Sequence, residues 1–205
     1  MAQEEKKTIV IPHAAPALVS GNKETIRTHK KIVAIGRLAR EKRFDHAIKA
    51  FSKIAKNLEG VTLEIVGAGP EEANLKKLAK DLGHVDRIIF HGYLSDPQPV
   101  LEDADISLVT SEFEGFGLTI LESMASRIPV VGYAAPYGPQ ALIQHGKNGL
   151  LVKDGDQEQL AGEMLRILTN ESLWKKCVEG AKKTAKKNSE KQWRKNWLDL
   201  HKKMS

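Results

Sequence analysis

The chain has 205 residues, with 32 Lys or Arg against 26 Asp or Glu, a formal net charge of +6 and one cysteine. This length suffices for one well-buried domain of ordinary size or slightly more. The lone Cys177 excludes an internal disulfide framework and fits a reducing cytosol, and no apolar run approaches the ~18 residues of a membrane span. The polar start is not a signal peptide, so a soluble cytoplasmic protein is expected.

Residues 1–30 are predicted to form a linker or hinge between domains. A short strand is expected at residues 8–11, and Pro12, Pro16 and Gly21 then interrupt regular structure. His13 is a candidate for a position that faces a ligand cleft, although a histidine in a linker is also commonly solvated.

The first strand of the folded domain is predicted at Lys31–Ile35, and an amphipathic helix beginning near Phe44 follows it. Arg37 and Lys42 lie between the end of the strand and this helix, which is the usual ligand edge of an open α/β sheet. An Arg side chain can bind two phosphate oxygens, and Lys adds a mobile point charge. Both are therefore expected to bind phosphate, with an ordinary surface charge as the alternative for Lys42.

Two further strands are predicted at residues 61–66 and 87–94. Gly67 and Gly69 follow the earlier one, but Pro70 stands next and no third glycine occupies the Rossmann position. A tight turn whose backbone lines the cleft is therefore expected instead of a dinucleotide fingerprint.

Asp103 and Asp105 match a D-x-D metal-binding pattern. Here Asp103 ends a short predicted helix and Asp105 begins a strand, so the two carboxylates need not converge on one ion. No metal site is expected.

Two glutamates, Glu114 and Glu122, frame a segment between two predicted apolar strands. Gly115 and Gly117 permit a sharp turn and leave unpaired amides of the first helical turn pointing outward. These amides and the helix dipole suit a phosphate. If the helix begins near Gly117, Glu122 lies roughly 7 Å along it, so the two carboxylates can flank a bound diphosphate.

This spacing resembles the E-x7-E signature of the retaining glycosyltransferases of family GT4, group 1, which have the two-domain GT-B fold. The resemblance implies that Glu114 contacts the donor sugar and that Glu122 holds the nucleotide ribose. It also implies that the diphosphate lies on the residues between them: Gly115, Phe116, Gly117 and Leu118.

The segment from Gly36 to Lys42 resembles a second motif of that family, G-R-L-x3-K. It implies that Arg37 and Lys42 neutralise the diphosphate leaving group. The family's loop after the third strand approaches the base, which makes Tyr93 and Leu94 candidates, with packing an equally open role for Tyr93. Such enzymes need no metal or other cofactor, since basic groups and helix amides carry the phosphate charge and the nucleotide-diphosphate sugar is a co-substrate.

The remaining strands are predicted at Ile106–Val109, at Val130–Tyr133 and at residues 150–152, and Asp156 is expected to cap the next helix. Gln140 stands where many sequences of the family have Glu, so no carboxylate role is expected there. Two short segments resemble one branch of the family, which glycosylates the teichoic acids of Gram-positive walls. They are Val10 to His13, and Tyr137, Gly138 and Pro139.

Residues 189–205 are predicted to form a basic C-terminal helix. From residue 174 onward there are eleven Lys or Arg and three acidic residues. Trp193, Trp197 and Leu200 recur at helical spacing, which favours core or interdomain packing over a ligand site. The lysines are expected either to form a solvated face or to contact an anionic polymer or the inner face of a membrane. No specific nucleic-acid partner is expected.

The sequence thus predicts an α/β fold with a doubly wound, mostly parallel six-stranded Rossmann-like sheet and C-terminal helices, in which residues 31–188 bind a nucleotide sugar. We expect the donor-binding half of an enzyme that transfers a hexose from a UDP-sugar to a hydroxyl with retention. The acceptor-binding domain is expected to be missing, which would leave this chain inactive alone. The alternatives are a GT-B epimerase or phosphorylase domain, or a non-catalytic nucleotide-binding module.

Overall fold

The structure is a computed structural model that describes residue 9, residues 11–18 and residues 29–204. Thr8 and Val10, which belong to the predicted N-terminal strand, lie outside the described residues, as does Gly21 of the predicted linker.

One parallel sheet of six strands forms the centre of the described part of the chain, in the order β3-β2-β1-β4-β5-β6. The strands are β1 (Lys31–Ile35), β2 (Thr62–Val66), β3 (Ile88–Gly92), β4 (Ile106–Val109), β5 (Val130–Tyr133) and β6 (Gly149–Val152). This arrangement confirms the predicted doubly wound α/β fold.

Helices connect the strands and cover both faces of the sheet. They are α1 (Phe44–Ala55), α2 (Glu72–Asp81), α3 (Gln98–Glu102), α4 (Leu118–Ala125), α5 (Gly138–Leu142), α6 (Gln157–Thr169), α7 (Glu171–Lys187) and α8 (Glu190–Met204), with a short 3-10 helix at Arg40–Lys42. Alternate residues of β1 show the two covered faces, because Ile32 and Ala34 join one buried cluster and Val33 joins another. The predicted cap of α6 is confirmed, since the Asp156 side chain accepts a hydrogen bond from the Gln159 amide.

The third strand is shorter than predicted, since β3 covers Ile88–Gly92 and not residues 87–94. Arg87, just before it, packs against the neighbouring elements. Its guanidinium donates hydrogen bonds to the carbonyls of Ala55, Leu58 and Val61.

The strand order places a topological switch between β1 and β4. Successive strands are added outward in one direction from β1 and in the other from β4, so the loops after these two strands diverge and leave a crevice at their carboxyl ends. Residues 36–43 and 110–117 therefore border the position where an open α/β sheet binds its ligand.

Asp103 and Asp105 lie at the opposite, amino edge of the sheet. The Asp105 carboxylate accepts a hydrogen bond from the Lys31 amide at 2.8 Å, and Asp103 pairs with the Lys31 ammonium group. These contacts fix the start of β1 beside the start of β4. The two carboxylates thus hold the sheet together at the edge away from the crevice.

Helix α7 closes the core with its buried residues Trp174 and Cys177. The Trp174 indole donates a hydrogen bond to the Asp105 carbonyl at 2.8 Å, which ties α7 to the sheet. Burial raises the pKa of the Cys177 thiol to about 11. Within residues 9, 11–18 and 29–204, no helix is long and apolar enough to cross a membrane.

We predict that Trp174→Ala lowers the free energy of unfolding by about 3–5 kcal/mol, because it opens a cavity in the core and removes the hydrogen bond from the indole to the Asp105 carbonyl. Urea denaturation measures the loss. Trp197→Ala is the matched control: that side chain is 49% exposed, and its removal should cost less than about 1 kcal/mol. Similar losses for both variants would contradict the assigned role of Trp174.

Candidate functional site

An ion pair joins the loops that follow β1 and β4. The Lys42 ammonium nitrogen lies 2.6 Å from Glu114 Oε1, although the two residues are 72 positions apart in sequence. Their side chains are only 26% and 14% exposed, so solvent screens this pair less than a surface pair. The structure therefore brings together one residue from each of the two motifs found in the sequence.

Hydroxyl groups that the sequence analysis missed support this pair. Ser111 Oγ donates a hydrogen bond to Glu114 Oε1 at 2.8 Å, and Thr110 Oγ1 donates to the Lys42 carbonyl at 2.8 Å. Both residues are buried and directly follow β4. Two hydroxyl residues at the end of an apolar strand were the available signal, since buried polar groups at that edge need partners.

Arg43 is a third residue that the sequence analysis missed. Its φ of 48° is left-handed, and its guanidinium lies 3.2 Å from the Glu112 carboxylate and 2.8 Å from the Asp154 carboxylate. It thereby links the loops that follow β1, β4 and β6. This cross-link holds the backbone immediately after Lys42.

Arg37 lies at the outer rim of the crevice. Its guanidinium pairs with Glu41 at 2.6 Å on the same loop, and its side chain is 70% exposed. The hydrogen bond from Arg37 lowers the pKa of the Glu41 carboxyl group. Because an exposed pair of this kind is weak, Arg37 is free to exchange its carboxylate partner for a phosphate.

The start of α4 presents an open anion site. Gly117 has a φ of 84°, a left-handed conformation, and no side chain caps the helix that begins at Leu118. This φ strains any residue that has a Cβ atom, and a Cβ atom here would also lie 2.7 Å from the end of the Ile120 side chain, so the turn favours glycine. The first amides of α4 therefore remain available to a bound anion.

Gly138 holds this turn from behind. Its amide donates a hydrogen bond to the Glu114 carbonyl at 3.1 Å, and a Cβ atom here would lie 2.7 Å from the Phe116 carbonyl oxygen. The close approach fixes the backbone from Glu114 to Gly117. Neighbouring Gln140 instead bonds to the Ala134 carbonyl at 2.8 Å.

Glu122 lies on the second turn of α4 and is half-buried. Among the described residues, its carboxylate has no hydrogen-bond or ion-pair partner, and burial raises its pKa. A carboxylate kept partly dehydrated and unpaired is ready to accept hydrogen bonds from a ligand's hydroxyl groups.

A cavity of about 450 Å³ opens beside Arg37, where the loops after the first three strands meet. The predicted residues that line it are Gly36, Arg37, Tyr93 and Leu94. A Cβ atom at Gly67 would lie 1.9 Å from the Gly36 carbonyl oxygen, so glycine is required for these two loops to touch. The two loops are therefore packed backbone to backbone beside this cavity.

Aromatic contacts border the crevice on its other side. The rings of His13 and Phe116 lie 5.1 Å apart edge to face, and those of Phe113 and Tyr137 lie 5.7 Å apart in the same way. His13 thus contacts a residue of the predicted diphosphate turn. The side chains of Tyr93, Phe113 and Tyr137 remain mostly exposed.

Known proteins share this sequence pattern. The sequence model of the family described as "Glycosyl transferases group 1" matches residues 20–184. The chain is 34% identical over 167 residues to the poly(glycerol-phosphate) alpha-glucosyltransferase of Bacillus subtilis, an alignment that covers 82% of this chain and 25% of that protein. It is 31% identical over 147 residues to the poly(ribitol-phosphate) alpha-N-acetylglucosaminyltransferase of Staphylococcus aureus, covering 72% and 30%. The chain therefore spans less than a third of the length of these curated relatives.

Solved structures share the fold. The chain resembles TarM of S. aureus, crystallised as a variant with fondaparinux, alpha-GlcNAc-glycerol and UDP: the TM-score is 0.79 and the identity 28%, over 94% of this chain and 38% of that one. For the pneumococcal O-GlcNAc transferase GtfA, crystallised with UDP and GlcNAc, the TM-score is 0.85 and the identity 24%, over 98% and 40%. The GT-B type of Rossmann-like domain expected from the sequence is thereby confirmed.

We predict that Glu122→Gln stabilises the unliganded protein near neutral pH but not in acid. A raised pKa means that the ionised carboxylate destabilises the folded state, and this cost disappears once the pH falls below the ordinary carboxyl range, at about pH 4. The melting temperatures of Glu122→Gln and of the unaltered protein should therefore converge as the pH is lowered from neutral to about 4.

The exposed Glu59 provides the control, since Glu59→Gln should leave the melting temperature unchanged throughout. A destabilised Glu122→Gln variant at neutral pH would show that the carboxylate has a stabilising partner and would contradict the description of this site.

Proposed function

Because this chain belongs to the glycosyl transferases group 1 family, we propose that it forms the donor-binding domain of a retaining glycosyltransferase. The domain would bind a nucleotide-diphosphate sugar, most simply a UDP-sugar, and take part in moving its hexose to a hydroxyl group.

The observation that carries this proposal is the half-buried pair of Lys42 and Glu114 beside the uncapped start of α4. A diphosphate sugar requires cationic groups and amides for its phosphates and a carboxylate for its sugar hydroxyls. These groups stand together at the crevice between β1 and β4, where open α/β sheets bind their ligands.

In the proposed reaction, the bond between the anomeric carbon and the diphosphate breaks and its electron pair leaves with the diphosphate. The acceptor oxygen forms the new bond on the same face of the sugar, and its proton passes to the departing phosphate. Arg37, Lys42 and the amides near Gly117 would stabilise the charge that develops on the leaving group. We propose that these groups remove the need for a metal ion or another cofactor.

The proposed division of labour follows the position of each residue. Glu114, oriented by Ser111 and Lys42, would hold the hexose, and Glu122 would hold the ribose hydroxyls. The base would lie in the cavity beside Tyr93 and Leu94. Orientation of this kind lowers a barrier by several kcal/mol when the acceptor is held equally well.

The acceptor in this proposal is a polyol-phosphate polymer of the teichoic acid type. Support comes from the names of two relatives, a poly(glycerol-phosphate) alpha-glucosyltransferase and a poly(ribitol-phosphate) alpha-N-acetylglucosaminyltransferase, and from a solved relative crystallised with alpha-GlcNAc-glycerol. We further propose that a separate acceptor-binding domain completes the crevice, and that the enzyme works in the cytoplasm at the inner face of the membrane.

We predict that Arg37→Ala and Lys42→Ala each weaken UDP binding roughly tenfold to hundredfold while leaving uridine almost untouched. Charge-assisted contacts to phosphate are typically worth about 1.5–3 kcal/mol. Uridine has no phosphate and therefore cannot make these contacts. Titration calorimetry with both ligands measures the difference. Lys53→Ala is the matched control, because Lys53 pairs with Glu158 away from the crevice. Equal weakening of UDP and uridine would indicate a wrong site.

A second pair of variants separates the two glutamates. Glu122→Ala is expected to weaken UDP and a UDP-sugar alike, since both contain ribose, whereas Glu114→Ala should spare UDP and weaken only the sugar nucleotide. Calorimetric titrations with UDP and UDP-glucose test this pattern. The reverse pattern would overturn both assignments, and indifference to Glu114→Ala would favour a domain that only binds nucleotide.

A further inference from the structure

Four lysines line a cavity of about 450 Å³ that is separate from the donor crevice. Lys147 comes from the turn before β6, and Lys176, Lys183 and Lys187 come from α7. The three helix residues are seven and four positions apart, so they lie along one stripe of the helix, roughly 16 Å long at 1.5 Å per residue. We call this group the lysine pocket.

Close packing positions the lysine pocket. A Cβ atom at Gly180 would lie 2.0 Å from the Lys147 carbonyl oxygen, so only glycine lets the turn rest on α7 between its lysines. Buried Asn148 fixes the turn: its side chain accepts a hydrogen bond from the Gln144 amide at 2.7 Å and donates to the Leu142 carbonyl and to Thr184 Oγ1, each at 2.9 Å. The Lys147 backbone is therefore held against this stripe of α7.

The positive charge in the pocket is not neutralised. Among the described residues, none of its four lysines makes an ion pair, and its one carboxylate, Glu179, lies 3.7 Å from the Lys182 ammonium group outside the pocket. Like charges held near one another repel, so an anion that binds between them relieves a cost already present in the fold.

The C-terminal end of the stripe leads toward the donor crevice. Asn188, next to Lys187, accepts a hydrogen bond from the Ala15 amide at 2.6 Å. Ala15 follows His13 by two residues, a distance of about 7 Å at most, and the His13 ring lies 5.1 Å from Phe116. A short series of contacts therefore connects the end of the lysine pocket to the predicted diphosphate turn.

We infer that the lysine pocket binds a linear polyanion of repeating phosphodiesters. We also infer that the pocket guides this polymer toward the donor crevice, where the polymer is the acceptor. The second half of the inference rests on the proposed function. A polymer fits better than a membrane surface, because the described residues that line the pocket are polar or glycine and offer no apolar side chain for insertion into lipid.

The test compares two variants of the 205-residue chain that each lose four positive charges. One replaces Lys147, Lys176, Lys183 and Lys187 by Gln, and the other replaces Lys191, Lys195, Lys202 and Lys203 of α8 by Gln. Binding of poly(glycerol phosphate) is measured over a range of salt concentrations, and melting curves verify folding. We expect the pocket variant to lose affinity roughly tenfold or more, with a weaker salt dependence, and the α8 variant to retain most of its affinity.

Three results would overturn the inference: equal losses in the two variants, no binding of the polymer by the unaltered chain, or binding to phosphatidylglycerol vesicles in preference to the polymer. UDP binding by the same proteins keeps this test apart from the proposed function. Loss of polymer binding by the pocket variant, with intact UDP binding, supports the lysine pocket. If the unaltered protein binds the polymer but not UDP, the proposed donor site is wrong and the polyanion site is still supported.

Discussion

The ion pair between Lys42 and Glu114 is the contact on which the crevice depends. It joins two loops that leave the sheet in different directions, and it does so at a partly buried position where breaking one partner strands the other charge. Ser111 and Arg43 hold the backbone and side chains around it. A charged pair fixed in this way provides a preorganised site, since its groups need little rearrangement when a polar ligand arrives.

The charged groups of the same site differ in how well they are paired. Glu114 pairs with Lys42, whereas Glu122 is half-buried with a raised pKa. Arg37 is exposed and pairs only with the neighbouring carboxylate of Glu41. In a protein optimised for stability alone, the half-buried Glu122 would be paired or replaced by a neutral residue. An unpaired Glu122 lowers stability in the unliganded protein, and this cost is consistent with a site in which a ligand supplies the missing partner.

Much of this fold follows from local patterns. Apolar strands, glycine turns and amphipathic helices alternate along the chain, and such alternation requires a parallel sheet with a ligand edge. The motif positions of Lys42 and Glu114 were therefore predictable, but their direct contact was not, because it depends on how two distant loops pack. The same holds for Arg43, whose left-handed backbone and partners Glu112 and Asp154 emerge only from the tertiary structure.

Cys177 can report how often helix α7 separates from the sheet. It is the single thiol of the chain, it is fully buried, and it lies on α7 between Trp174 and Gly180. With a pKa of about 11, the thiol is almost entirely protonated at neutral pH and shielded from reagents. A thiol-specific label can reach it only when α7 lifts from the sheet, so the labelling rate measures how often that helix detaches under native conditions.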